Sequence, residues 1–314
     1  MQNLRALLGQ CGVRRVGELD RLYAWDVDAG GLTDMRERLR QRAEYPAAAR
    51  RLAANMLLDA AGDPALGDML RDAGRTVAAL SAVYLNASGG LTLPRLKAFI
   101  AGFGLVSPGR ARALLELMLH LGYVRPDPRS RPRSYSLTPR FLASYARHEA
   151  SLLDAAALVE PAVRLVQQNL ATAAVMNDLA CEQGAAFVAG SRQTHGHEAW
   201  YRTFMHRLAG IQLLHGLVAG ADSFPPTGRI AFSARETAQR FQVSRVHVGR
   251  MLQAAVGHGF MEAEPGSVRF TEAGRQALDW LYASRLCVHL ACAARTLKAH
   301  PELAEREAPA SVVV

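Results

Sequence analysis

Apolar residues recur at every third or fourth position along most of the chain, which is the period of an amphipathic helix. The clearest apolar face follows Pro64 and consists of Leu66, Met69, Leu70, Ala73, Val77, Leu80, Val83 and Tyr84. The segment Asn86–Gly90, NASGG, then supplies turn residues that end this helix. The pattern therefore predicts a mainly α-helical protein.

Two shorter predicted helices, at residues 92–103 and 107–121, come before a change of pattern. Residues 124–139, VRPDPRSRPRSYSLTP, carry three prolines ahead of a short alternating stretch, which predicts two brief strands around a basic loop. Helical periodicity returns over residues 140–179, where Pro161 either starts a new helix or kinks a single one.

The same order of elements then returns. A helix with apolar spacing is predicted at residues 200–218, and Ser233 with Glu236 three residues on fits a capping box at the start of the next helix. A further helix begins near Ser244, and the stretch EAEPGS forms a turn between two short strands. Thr271 opens a long closing helix.

This recurrence is an internal repeat. Val106–Val124 aligns with Val243–Met261 without a gap, so that VSPGRARALL of the first copy falls on VSRVHVGRML of the second. Further aligned pairs are Gly122 with Gly259, Leu137 with Phe270 and Thr138 with Thr271. The copies share element order, turn positions and apolar positions, so we expect the chain to contain the same folded unit twice.

The order of short helix, turn, second helix, glycine and two-stranded loop resembles the winged helix-turn-helix. The second copy, SARETAQRFQVSRVHVGRMLQAAVGHGFMEAEPGSVRFTEAGRQAL, is similar to the MarR-type family of bacterial regulators, including the TEAG that opens a long helix. In the first copy the turn before Val106 is longer, and Pro108-Gly109 stands where the helix starts. The resemblance implies that the second helix of each pair enters the DNA major groove and the wing reaches a minor groove.

The fold class implied is mainly α with small β-wings, built as two tandem winged helix-turn-helix domains that long helices join into a single-chain, monomeric pseudo-dimer. In it the helix after the first wing packs with residues 200–218 and with the closing helix. The expected organisation is an N-terminal helical segment at 1–61, a first winged helix domain at 62–175, a linker at 176–196, a second winged helix domain at 197–303 and a flexible tail at 304–314.

The net charge of +9 makes nucleic acid the first partner to consider, and almost all basic residues are arginines, whose forked guanidinium suits phosphate and guanine. The apolar positions of each copy's second helix should face inward, which turns Arg250 outward as either a base-reading or a simple surface arginine. The second wing carries Glu262 and Glu264 and should bind phosphate poorly. The predicted DNA-binding residues are Ser107, Arg110, Arg112, Arg129, Arg131, Arg133, Ser244, Arg245, His247, Arg250 and Arg269.

These features predict a sequence-specific regulator of transcription that binds double-stranded DNA at an asymmetric or imperfectly palindromic site. A plasmid or phage replication initiator with paired winged helices is the main alternative, and a chromosome-partitioning scaffold is a second that the positive charge argues against. The resemblance also implies a small-molecule effector in a cleft near Trp200, Tyr201, His206 and His215, although packing in a helix core explains these residues equally well.

Other classes of protein fit the sequence less well. No phosphate-binding loop or nucleophile-elbow motif occurs, and His195, His197, Glu198 and His206 do not complete a metal site, so we expect neither an enzyme nor a metal or other cofactor. The four cysteines are scattered and are expected to be free thiols. No apolar run is long enough to span a bilayer and the N-terminus does not resemble a secretion signal, so we expect a cytoplasmic protein without a membrane partner.

Overall fold

The computed structural model of the chain describes residues 17–26, 31–102, 106–191 and 196–305. It is mainly helical, with two small antiparallel sheets, as the apolar periodicity predicts. The first half contains α1, which includes residues 17–23, and then α2 (Leu32–Arg40), α3 (Tyr45–Gly62), α4 (Pro64–Met69), α5 (Ala73–Ala87), β1 (Leu91–Thr92), α6 (Leu93–Ala101), α7 (Pro108–His120), β2 (Val124–Pro126), β3 (Ser134–Leu137) and α8 (Pro139–Ala156).

The second half begins with a 3-10 turn at Pro161–Val163, so Pro161 starts a new segment and does not kink a continuous helix. The elements that follow are α9 (Arg164–Gln167), α10 (Ala173–Ser191), α11 (Glu198–Trp200), a π-helix (Tyr201–Met205), α12 (Gly210–Ala219), β4 (Ile230–Ala231), α13 (Ala234–Arg240), α14 (Arg245–Gly257), β5 (Met261–Glu264), β6 (Ser267–Phe270), α15 (Glu272–Ala299) and α16 (Glu302–Glu305).

The repeat in the sequence is also a repeat in structure. A first unit, α5 to α8, has the order helix, strand, helix, helix, hairpin, helix, and a second unit, α12 to α15, has the same order. The strand orders are β1-β3-β2 and β4-β6-β5, so in each sheet the last strand lies in the middle. Below, the first hairpin is β2 with β3, and the second hairpin is β5 with β6.

Side-chain caps explain why the helices of both units begin where they do. The hydroxyl of Ser107 accepts the backbone N–H of Arg110 at the start of α7, and Ser244 accepts that of His247 at the start of α14. Ser233 caps α13 by accepting the N–H of Glu236 at 3.2 Å, as its sequence context predicts. Each cap satisfies a backbone N–H that the first turn of a helix leaves without a partner.

The N-terminal helices are part of the same core as the two units. α3 packs against α8 of the first unit and α12 of the second, and α2 packs against α15. Leu52 and Ala53 of α3 are fully buried. Within the predicted N-terminal segment at residues 1–61, α3 therefore supplies an apolar surface that both units share.

The predicted linker at residues 176–196 overlaps a long helix in the structure. Residues up to Ser191 belong to α10, which lies between α5 and α15. Its buried residues Val175, Leu179 and Ala180 cover the apolar sides of both neighbours. The helix after the first hairpin, α8, packs against α15 as expected, but α12 lies chiefly against α3.

The continuous helix predicted at residues 200–218 is interrupted. A π-helix ends at Met205, and Ala209 has a left-handed backbone with a φ of 61° before α12 begins. At Gly210 a side chain would overlap the carbonyl of Phe204, so only glycine fits there. Apolar spacing alone does not reveal this break, because the residues on both sides of it still face the core.

Some expectations concern parts of the chain outside the described residues. They include Cys11, His195 and most of the predicted tail at residues 304–314. Within the described ranges, Cys181, Cys287 and Cys292 are free thiols, as predicted. None of the helices described is both long and apolar enough to cross a lipid bilayer.

Candidate nucleic-acid interface and central cavity

The outer face of α14 is exposed and cationic. Val248 and Met251 lie in the core, as the helical pattern predicts, which turns the opposite side of the helix to solvent. There Arg245 and Arg250 are exposed and form no ion pair within the described part of the chain. Val246, next to Arg245, is 62% exposed, so this face also presents an apolar side chain to solvent.

Two predicted contact residues of α14 already have partners in the protein. The Ser244 hydroxyl caps the helix by accepting the His247 N–H at 3.0 Å. The His247 ring nitrogen Nε2 lies 2.9 Å from the Leu208 carbonyl oxygen, which comes just before α12. His247 therefore ties α14 to the turn between the π-helix and α12, and it has less freedom to reach a ligand than Arg245 or Arg250.

The corresponding helix of the first unit, α7, differs in the same positions. Arg110 donates to the Asp72 carboxylate at 2.8 Å, and Asp72 also caps α5 by accepting the Arg75 N–H. Arg110 thus fixes α7 to α5, while Arg112, also exposed, has no carboxylate partner among the described residues. Ser107 is occupied as the N-cap, as Ser244 is in the second unit.

The first hairpin carries a group of exposed arginines. Arg125, Arg129 and Arg133 extend from it, and none of their side chains is paired with a carboxylate in the described chain. Arg131 is exposed as well, but its guanidinium donates to the carbonyls of Pro128 and Ser130 at 3.0 and 2.9 Å. Three of these guanidinium groups therefore remain available for an anionic surface.

The second hairpin has a different electrostatic character. Arg269 pairs with Glu262 at 2.6 Å, and Arg229 pairs with Glu264. Each arginine charge is thus balanced by a neighbouring carboxylate. The two hairpins occupy equivalent places in the two units, but only the first presents uncompensated positive charge.

A large cavity lies in the centre of the protein. Its volume is about 670 Å³, within the range of small-molecule sites. α2, α3, α5, α8, α10, α12, α15 and the π-helix all contribute to its wall. Most of the wall is apolar, and its polar or charged members are Arg36, Thr76, His148, Glu149, Gln183, Glu198, Tyr201, Arg202, His206, Gln212, His215, Ser284, Arg285 and His289.

Arg285 of α15 is a cation in this cavity without a counter-ion. Its Nη1 lies 3.4 Å from Nε2 of His215, and its Nη2 lies 3.9 Å from the Met56 sulfur. Within the described residues no carboxylate oxygen comes within 4.0 Å of the guanidinium. The side chain is only partly exposed, and desolvation lowers the pKa of Arg285 below its usual value.

His215 is held as a neutral ring. Burial and the positive charge of Arg285 lower its pKa well below the ordinary value. Because Arg285 can only donate, Nε2 of His215 must accept, which places the ring proton on Nδ1. Nδ1 then donates to the Tyr282 hydroxyl oxygen at 2.6 Å.

Several other polar atoms of the cavity wall have incomplete hydrogen bonding. Glu149 is 1% exposed, and one of its oxygens accepts from the Gln183 amide while Oε1 has no partner in the described protein. Gln212 Oε1 and His289 Nδ1 are buried and equally unpartnered there. Burial raises the pKa of Glu149 and lowers the pKa of His289 to about 3, so both groups are biased toward their neutral forms.

Sequence reasoning found part of this cavity. Tyr201, His206 and His215 line it, whereas Trp200 is buried in the packing between the π-helix and the second unit. Arg285 was missed, although a signal exists, since it shares a helical face with the core residues Leu278 and Leu281. A charged residue on the buried face of a helix needs a specific partner.

The described residues contain no group of three or more histidine, cysteine, aspartate or glutamate side chains placed to hold a metal ion. His197, from the predicted histidine cluster, stacks on Trp280 with ring centroids 4.1 Å apart. Comparison of the whole chain with protein-family models, with curated proteins and with solved structures gives no match.

Proposed function

We propose that the chain is a sequence-specific regulator of transcription that binds double-stranded DNA through two tandem, unequal winged helix-turn-helix units. The observation that supports this most is the repeated unit whose second helix, α7 or α14, presents an exposed face next to a hairpin. That order resembles the MarR-type arrangement. A helix of this kind fits the major groove and the hairpin then lies over the adjacent backbone.

In this proposal α14 reads the sequence. Arg250 is free to form a forked pair of hydrogen bonds with the O6 and N7 atoms of guanine. Val246 offers an apolar surface that suits the methyl group of thymine, which accounts for its exposure. Ser244 and His247 fix the start and tilt of the helix through their bonds within the protein.

The first unit contributes mainly to affinity. Its hairpin holds Arg125, Arg129 and Arg133 in an exposed group, and proline residues in the loop limit the freedom of the backbone. Arginines placed in this way bind phosphates and a narrow minor groove. The second hairpin, with Arg269 neutralised by Glu262, contributes less.

The two units are inequivalent, so the preferred site should be asymmetric or an imperfect palindrome. A homodimer imposes two-fold symmetry on its DNA site, whereas two units in one chain do not. We expect a single chain to occupy one site, with α3 and α10 holding the two units in place.

The test begins with selection of duplexes from a randomised library by the full chain. Binding of the selected duplex is then measured by fluorescence anisotropy as a function of salt. We expect Arg250→Ala to reduce the preference for the selected duplex over a scrambled one by about 10-fold or more. The double variant Arg129→Ala, Arg133→Ala should keep the preference but reduce the salt slope by about 1 to 2, because each phosphate contact contributes about 0.9.

The matched control is Arg164→Ala, since Arg164 is also an exposed arginine but lies on α9, away from both hairpins. It should leave affinity, preference and salt slope unchanged. Failure of the selection to enrich any sequence, or an Arg250→Ala variant with unchanged preference, would contradict the proposal.

A further inference from the structure

We propose that the central cavity binds a small, largely apolar organic acid and that the guanidinium of Arg285 is the receptor for its carboxylate. The inference concerns the cavity alone and does not depend on DNA binding. It combines three observations: an uncompensated cation, buried polar atoms without partners, and an apolar wall of suitable size.

The first observation is the unbalanced charge. A guanidinium removed from bulk water is unfavourable unless an anion or several acceptors compensate it. Arg285 has only the His215 nitrogen and the Met56 sulfur near its donors. His215 is neutral, and among the described residues no carboxylate oxygen, including those of Glu149, lies within 4.0 Å of the guanidinium, so Arg285 has no ion-pair partner there.

The same guanidinium has donors to spare. Arginine carries five N–H groups, and a carboxylate accepts two of them in a fork. His215 can accept only one. A neutral amide has one oxygen and cannot accept both N–H groups of the fork, so the remaining donors of Arg285 favour a carboxylate over an uncharged ligand. A lysine ammonium in place of the guanidinium would not offer the same planar match.

The second observation is the set of buried polar atoms without partners in the wall of the same cavity. Glu149 Oε1, Gln212 Oε1 and His289 Nδ1 all belong to cavity-lining residues, and none has a hydrogen-bond partner in the described chain. Arg285 influences the pKa of both Glu149 and His289, which places these groups in its electrostatic neighbourhood. Unpartnered buried atoms in a native protein commonly mark a ligand or an ordered water molecule.

The third observation is the apolar part of the cavity wall, which determines what the portion of the ligand beyond its carboxylate can be. Apolar atoms form most of its surface, and leucine, isoleucine, valine, methionine and aromatic side chains are among the lining residues. A volume of about 670 Å³ is far larger than a carboxylate or an inorganic phosphate needs. A ring system or alkyl chain attached to the carboxylate would gain apolar contact there.

Two sources of this chemistry, aromatic acids and medium-chain fatty acids, can be separated by titration. The probes are 2-naphthoate and decanoate, each with its neutral amide, added to the full-length protein without DNA in an isothermal calorimeter. We expect at least one acid to bind about 10-fold or more tightly than its own amide, since only the acid satisfies the guanidinium. The acid that shows this preference identifies the source.

Arg285→Met should remove the preference, so that acid and amide bind within about threefold of each other, while Arg285→Lys should retain part of it. The control Arg164→Met changes an exposed arginine and should alter neither affinity. Circular dichroism of each variant checks that it has folded, and the comparison of acid with amide on the unaltered protein needs no variant at all.

Equal affinities for acid and amide in the unaltered protein would overturn the proposal, as would no binding of either acid at millimolar concentration. A preference that survives in folded Arg285→Met protein would place the carboxylate elsewhere and would also overturn it. DNA binding of the same preparations, measured by anisotropy, separates these outcomes from a failure of the proposed regulatory function.

Discussion

Replacing Arg285 with methionine should make the protein without ligand more stable. The guanidinium lies in the wall of the cavity, and no carboxylate among the described residues pairs with it. Methionine has a similar length and no charge, so it can keep the contact with Met56 without the desolvation cost. Most substitutions of a buried residue lower the free energy of unfolding, so an increase in it would be a discriminating result.

The magnitude follows from the cost of the charge. Replacing a poorly compensated buried ion by an apolar side chain of similar volume stabilises proteins by about 1–4 kcal/mol. Because the cavity leaves part of Arg285 accessible, we expect the lower end, about 1–2 kcal/mol. The chain has 314 residues. With an unfolding entropy of about 2.1 cal/mol/K per residue, the melting temperature should rise by about 2–3 °C.

The assay is urea unfolding followed by circular dichroism in a buffer free of organic acids, supported by thermal melts. A companion variant, Glu149→Gln, removes the carboxyl group whose charge raises the pKa of Arg285. If Glu149 is neutral, the gain from Arg285→Met should be the same in both backgrounds. A loss of stability of more than about 1 kcal/mol in Arg285→Met would refute the reasoning, since the guanidinium would then have interactions that exceed its desolvation cost.

Two further predictions concern packing and pH. Gly184→Ala should lower the free energy of unfolding by about 1–3 kcal/mol because the new Cβ overlaps the Tyr84 ring, whereas Gly249→Ala, which meets no atom, should raise it by about 0.5–1 kcal/mol in the same urea titration. Since the pKa of His289 is lowered to about 3 from an unfolded value of about 6.5, the unfolded chain binds the extra proton between these values. Between pH 6.5 and 5.0, the free energy of unfolding of the unaltered protein should therefore fall by about 2 kcal/mol more than that of His289→Leu. The control variant His120→Gln should show the same fall as the unaltered protein, which separates the effect of His289 from general effects of acid.

The repeated order of elements was predictable because local chemistry determines it. Ser233 and Thr271 are strong N-cap residues in front of apolar-periodic segments, and both cap helices in the structure. The glycines at the ends of α7 and α14, Gly122 and Gly259, both have positive φ, which the turn into each hairpin requires. N-cap residues and turn glycines depend on only a few neighbouring residues, so they can be recognised from the sequence alone.

The way the helices assemble depends on contacts that span the whole chain. A segment such as α10 has the same apolar periodicity whether it joins two domains or packs between α5 and α15. The periodicity of residues 176–191 therefore does not tell a linker from the packed helix α10. The break near Ala209 was missed because its cause is tertiary, with the Ala209 N–H donating to the Arg71 carbonyl, far away in the sequence, at 2.8 Å.

The role of Arg285 lies beyond sequence reasoning for a further physical reason. A periodic pattern shows that the residue falls on the buried face of α15, and burial of a charge normally predicts a partner of opposite sign. The chain has 28 acidic residues, and nothing in their order shows which of them reaches this site. Among the described residues, Glu149 is the acidic residue whose charge influences the pKa of Arg285, and burial raises the pKa of Glu149 itself. The unpaired positive charge of Arg285 is thus a property of the folded core. This charge gives the cavity its preference for an acid.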